Sequence, residues 1–144
     1  MLDLVFRNST SFQRYRKSFF EALITRTLAV AGISDPIEVS VTLVSAPRIR
    51  LLNKQYRSKD TPTDVLSFPL GESPVPGYTK RILGDIFICP SYAVARARKE
   101  RVSLDEKFAW MTVHGTLHLL GYDHERSSRE AKIMERLEKA VLRS

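Results

Sequence analysis

The chain has 144 residues, the size of one domain, and its 43% hydrophobic content excludes wholesale disorder. Lys plus Arg number 23 against 16 Asp plus Glu, a formal net charge of +7. That charge admits nucleic acid or another polyanion as partner, and basic residues that merely coat solvated helix faces meet it equally well. No stretch of 18 residues is apolar and uncharged, so no membrane span is expected, and Met1–Arg7 does not read as a secretory signal. The one cysteine, Cys89, cannot form an internal disulfide, which fits a reducing compartment.

Leu2 to Phe6 alternates apolar and polar and predicts a strand. Thr10 or Ser11 then caps a helix running to Ala31, with Gly32 as its stop. Ile37 to Val44, rich in β-branched residues, is a second strand. Ser45 caps a helix that ends near Tyr56, with Pro47 in the first turn, where its missing N–H costs nothing. Thr61–Asp64 is a turn and Val65–Phe68 a short strand, placed at a sheet edge by Pro69, which cannot donate to a ladder. Gly71–Thr79 reads as an exposed loop, and Ile82–Cys89 as a further strand interrupted by Gly84-Asp85. Pro90 and Ser91 open the next helix. Ser103-x-x-Glu106 and Ser127-x-x-Glu130 are capping boxes that start helices 104–120 and 128–142. The apolar stripe Ile133, Met134, Leu137 and Val141 packs the last of these. The pattern is one α+β domain over residues 1–144. It has a roughly four-stranded mixed sheet packed with helices.

Basic residues gather in two places. Arg48, Arg50, Lys54, Arg57 and Lys59 lie on and after the second helix, and Arg96, Arg98, Lys99 and Arg101 on the third. Arginine predominates, and its planar fork suits phosphate. Tyr78 and Tyr122 are candidate stacking residues for bases, and equally candidates for plain core or rim positions.

All three histidines fall within His114-Gly-Thr-Leu-His118-Leu-Leu-Gly121-Tyr-Asp-His124. His114 and His118 are i and i+4 and share one helix face. Gly121 can turn the chain and return His124 toward them. Three imidazoles then hold one ion and leave a fourth position open, the pattern of a catalytic rather than a structural zinc. At ~100° per residue, Trp110, Val113, Leu117 and Leu120 form an apolar stripe beside the histidines, so the helix buries one face and offers another to a cleft. The spacing is also that of metzincin proteases, but Gly115 stands where they carry the glutamate base. Asp85 and Asp123 are candidate helpers, either as proton acceptors or, the favoured reading, as groups orienting an imidazole.

The histidine block resembles the signature of the YbeY family of bacterial metal-dependent endoribonucleases. Two further blocks agree and stand in the family's order: the run Leu52-Asn53-Lys54-Gln55-Tyr56-Arg57-Ser58-Lys59-Asp60-Thr61-Pro62-Thr63-Asp64-Val65-Leu66-Ser67-Phe68-Pro69, and Leu83-Gly84-Asp85-Ile86. The first 45 residues and the loop 71–79 match only in general character. The resemblance implies a small α+β sandwich with a metal at one end of a cleft. It implies zinc on His114, His118 and His124, and a functional arginine at Arg57. It implies a cytoplasmic protein that matures small-subunit ribosomal RNA near its 3′ end and serves ribosome quality control, with the small ribosomal subunit and its assembly factors as partners. The expected chemistry is metal-assisted hydrolysis of a phosphodiester in single-stranded RNA. In it, Arg57 grips the phosphate while Arg48, Arg50, Lys54, Lys59, Arg96, Arg98, Lys99 and Arg101 track the backbone. Two other readings stand beside it: an assembly factor whose metal is mainly structural, and a metallopeptidase of metzincin-like spacing.

Overall fold

A computed structural model describes residues 1–70 and 76–143. Its elements are β1 (Leu2–Asn8), α1 (Lys17–Val30), β2 (Ile37–Leu43), α2 (Ala46–Arg57), β3 (Val65–Pro69), β4 (Arg81–Ile88), α3 (Pro90–Glu100), α4 (Leu104–Leu119) and α5 (Ser128–Leu142). The strands form one four-stranded sheet in the order β1-β2-β4-β3. β1, β2 and β4 run parallel, and β3 pairs antiparallel with β4 at the edge, where Pro69 stands opposite Gly84. This is the expected mixed sheet, with the proline-bearing strand on its rim.

β2 shows the period-2 logic most plainly. Ile37, Val39, Val41 and Leu43 are all fully buried, while Glu38, Ser40 and Thr42 between them are partly exposed. The buried set joins Phe20, Ile24 and Leu28 of α1 and Phe108 and Met111 of α4 in the main core. α2 covers part of the opposite face, where Ile49 and Leu52 pack with Leu66, Phe68 and Phe87. α4 is more central than a single apolar stripe suggests. Val113 and Leu117 face Met134 and Val141 of α5, while Phe108, Met111 and Leu119 face the sheet core.

Two glycines set how closely α4 and β3 approach β4. At Gly84, where φ is +141°, a Cβ would lie 2.2 Å from the Phe68 carbonyl oxygen, so the strand stays continuous only with glycine. At Gly115 a Cβ would meet Ser67 Oγ at 3.0 Å and Ile86 Cγ2 at 3.2 Å, so this turn of α4 lies directly on the sheet.

The first helix starts later than its composition suggests. Asn8 Oδ1 accepts hydrogen bonds from the Thr10 amide (2.9 Å) and hydroxyl (2.7 Å), and Thr10 Oγ1 accepts from the Phe12 amide. These local bonds hold a turn in place of a helix cap. They also deliver Phe12 onto Phe108, with ring centroids 5.4 Å apart and planes 6° apart. α1 therefore begins at Lys17, with no side-chain cap on it. Of the loop expected over 71–79, residues 71–75 lie outside the described residues, and a turn follows at Pro76 and Gly77. Among the described residues no helix is long and apolar enough to cross a membrane.

Candidate metal centre

The C-terminal half of α4 carries His114 and His118, and the turn after it carries His124. Ser103 starts the helix, accepting the Glu106 amide at 3.1 Å, and Asp105 and Glu106 place negative charge in the first turn. Gly121, at φ +102°, ends it. The Gly121 amide donates to the His118 carbonyl (3.0 Å) and the Tyr122 amide to the Leu117 carbonyl (3.1 Å), a Schellman closure. Tyr122 then packs on the cluster containing Leu117 and Met134, so it braces the turn. The other tyrosine considered for stacking, Tyr78, is exposed and donates its hydroxyl to Glu38.

The turn brings the third imidazole back. One nitrogen from each of His114, His118 and His124 falls in a group whose members all lie within 4.8 Å of one another. Ring centroids are 4.7, 5.0 and 5.1 Å apart, and His118 Nε2 approaches His124 Nδ1 to 3.1 Å. Burial, and after it the neighbouring imidazoles of His114 and His124, push His118 down to about 4, so it is neutral and lone-pair bearing at pH 7. Three imidazole nitrogens at this spacing fit a borderline cation such as zinc, and also suit copper, nickel or iron.

Glu138 of α5 orients the first of these imidazoles. Its Oε2 lies 2.7 Å from His114 Nδ1, and both side chains are largely buried. An ionised carboxylate only accepts, so Nδ1 carries the proton and Nε2 is free to coordinate. This is the role considered for Asp85 and Asp123, and the structure gives it to a residue on another helix. Asp85 pairs with Ser40 and Phe68 along the sheet, and Phe68 meets Tyr56 of α2, whereas Gly84 and Ile86 face α4. Alternation thus puts Asp85 on the sheet face away from the histidines, and it makes no hydrogen bond to an imidazole among the described residues. Asp123 shapes the turn. Its carboxylate accepts the Glu125 amide at 2.9 Å, which holds it below the usual carboxylate range, and its own amide donates to Glu130 Oε1 at 3.0 Å.

Arg57, the last residue of α2, comes from the other face of the sheet. It lines a pocket of about 240 Å³ with Pro69, His118, Asp123 and His124, and its Nη2 lies 3.8 Å from Glu125 Oε1. Ser58, at φ 58°, ends α2, and buried Asn53 ties the following segment by donating to the Thr61 carbonyl at 2.9 Å. Arg48 and Lys59 are exposed, whereas Arg50 Nε and Lys54 Nζ share Asp60 at 2.9 and 3.9 Å. Arg98, Lys99 and Arg101 stand at the junction of α3 and α4, and Arg96 covers the Tyr92 ring. That junction is at the opposite end of α4 from the histidines, about 15–20 Å along its axis at 1.5 Å per residue. Of the first basic cluster, the structure brings Arg57 to the histidine pocket, while Arg50 and Lys54 line a separate groove with Asp60; the second cluster lies apart. Position 115, the protease glutamate's place, is buried against Ser67 and Ile86 with no room for a long acidic side chain.

The comparisons with known proteins bear on this site. Proteins named endoribonuclease YbeY from Persephonella marina and Aquifex aeolicus are 43% and 44% identical to this chain, over 87% and 90% of it and 80% and 84% of their own lengths. A Thermotoga maritima protein solved in solution superposes with a TM-score of 0.63 at 31% identity, covering 96% of this chain and 86% of that one. The profile of the family described as endoribonuclease YbeY matches residues 5–144, a span that takes in the three histidines, Arg57 and Glu138, and the chain belongs to that family.

Proposed function

We propose that this member of the endoribonuclease family is a zinc-dependent enzyme that hydrolyses phosphodiesters of single-stranded RNA in the cytoplasm. Its place is the maturation of 16S ribosomal RNA at the 3′ end and ribosome quality control, with the small ribosomal subunit and its assembly factors as partners. The observation that carries the catalytic reading is the convergence of three imidazole nitrogens within 4.8 Å of one another, two of them, on His118 and His124, lining a pocket that Arg57 also lines. His114, His118 and His124 would hold the ion, which when bound supplies Lewis-acid polarisation of the phosphate and an activated water.

The chain's own residues do the rest. Glu138 keeps the His114 ring in one tautomer. Arg57 is 40% exposed and only 3.8 Å from an exposed carboxylate, so it can exchange Glu125 for a phosphate at little cost and stabilise charge developing on it. Arg48, Arg50, Lys54 and Lys59 hold the strand along α2 toward the pocket. The packed Gly115 argues against the peptidase alternative, since no acidic side chain occupies the protease position.

The test is metal analysis of the purified chain and of His114→Ala, paired with cleavage of a short single-stranded ribosomal RNA fragment over a salt series. One ion per wild-type chain, none in the variant, cleavage lost with it and binding that weakens log-linearly with salt are expected. A metal-free variant that still cleaves RNA would overturn the proposal.

A further inference from the structure

We infer that Trp110 is a positioning residue for the first metal-binding imidazole, and that the Thr61–Asp64 turn holds it in place through Lys107. The inference rests on the reading that the three histidines hold an ion. Lys107, Trp110, His114 and His118 follow one another at spacings of three, four and four and so form a single stripe along α4. The indole of Trp110 lies against the His114 ring with centroids 4.5 Å apart and planes 23° apart. Glu138 holds the edge of the same ring at 2.7 Å. Face and edge are thus both restrained, which fixes the two torsions on which the direction of Nε2 depends.

The indole is itself restrained. The Lys107 ammonium sits 4.7 Å from its ring centroid, within cation–π range. That ammonium has no freedom to leave. It is paired with Asp64 Oδ2 at 3.0 Å and Glu100 Oε1 at 2.9 Å, and the Lys107 and Asp64 side chains are only 4% and 8% exposed. Asp64 closes the Thr61–Asp64 turn, and its carboxylate also accepts the Val65 amide at 2.8 Å. The same turn is tied through the Thr61 carbonyl to Asn53 of α2, the helix that ends in Arg57. The turn lies outside the group of pocket-lining side chains, yet it references both halves of the site: His114 through Lys107 and Trp110, and Arg57 through Asn53.

Trp110 is the only tryptophan of the chain, so its emission reports directly on the stack. The experiment titrates the metal-free full-length chain with zinc ion. It follows tryptophan emission and, separately, zinc affinity by competition with a chromogenic chelator. Expected are an emission change that saturates with occupancy in the wild type, affinity lower by about 10-fold or more in Trp110→Leu, and affinity restored in Trp110→Phe, which keeps an aromatic face. Circular dichroism establishes that each variant is folded, and the wild-type emission titration stands whether or not Trp110→Leu folds. Wild type that binds no zinc would sink the metal reading itself. Wild type that binds zinc with unchanged emission, or a folded Trp110→Leu of wild-type affinity, would overturn this inference alone.

Discussion

At the N-terminal end of α4, Lys107 meets two carboxylates; at the C-terminal end, His118 meets two imidazoles. Both groups sit in polar clusters built by the same helix, and they differ in the charge around them. Lys107 is enclosed by Asp64, Glu100 and the face of Trp110, so its charge is compensated within the chain. His118 has two other bases beside it and is pushed down to about 4, so an added proton is unwelcome there. A cluster of opposite charges closes on itself and holds elements together. A cluster of converging imidazole nitrogens suits a cation from outside. The stripe through Trp110 and His114 joins the two, so the closed cluster steadies the open one.

The largest effect is expected at the histidines. His118→Ala is expected to cut zinc affinity by more than about 100-fold, beyond what the loss of an orienting partner costs, and to reduce RNA cleavage to background. Metal content and fragment cleavage measure this, and a variant that kept its ion would erase the distinction between the two clusters. Arg57→Ala comes next. It should leave metal content unchanged and slow cleavage about 10²- to 10³-fold, the scale for removing one donor aimed at developing charge.

The closed cluster should answer in stability. Lys107→Met leaves Asp64 buried without its cation and is expected to cost about 3–5 kcal/mol, read as a shifted urea midpoint. Adding Asp64→Leu should recover most of that loss; a single variant as stable as wild type would show that the pair does not brace the fold.

The smallest effect is in pH. In the metal-free chain, His118 falls from 6.5 to about 4 on folding, so its contribution is fully present above about 6.5 and is lost as pH drops toward 4. Tyr15 sits near the other end of α4, where its hydroxyl donates to Asp105. Burial first, and then that carboxylate, push it from 10 up to about 12. Its contribution is therefore complete below about 10 and is lost as pH rises to 12. Thermal midpoints of the metal-free chain should fall at both extremes. Added zinc should raise the midpoint near neutrality, because it binds the folded form.

Much of the site was legible because its spacing is local. His114 and His118 at i and i+4, Gly121 as the helix stop and His124 just beyond require only helix geometry and one left-handed residue. Ser103 and Ser127 cap as expected for the same reason. Even so, Glu130 of the second capping box turns its side chain to the Asp123 amide, because the tertiary turn offers a donor there. Glu138 stands 24 residues from His114, and its one sequence signal is its place four residues after buried Met134 on α5. Trp110 reads as one more apolar residue of a stripe until the ring beside it is seen. Asp85 stands beside the buried Gly84 and Ile86 in the chain, yet pairing and alternation turn it to the other face of the sheet.

The order of strands and helices, the edge position of β3 and the identity of three converging imidazoles follow from short-range pattern in the chain. These depend on period, caps and turn residues, which act over a few positions. Long-range packing sets the rest: α2 from one sheet face and α4 from the other bring Arg57 and His118 together beside Pro69, Glu138 rather than an aspartate orients His114, and the second basic cluster lies at the far end of α4. Such facts depend on which faces the core covers, and burial couples residues by distance through the fold, whatever their separation along the chain.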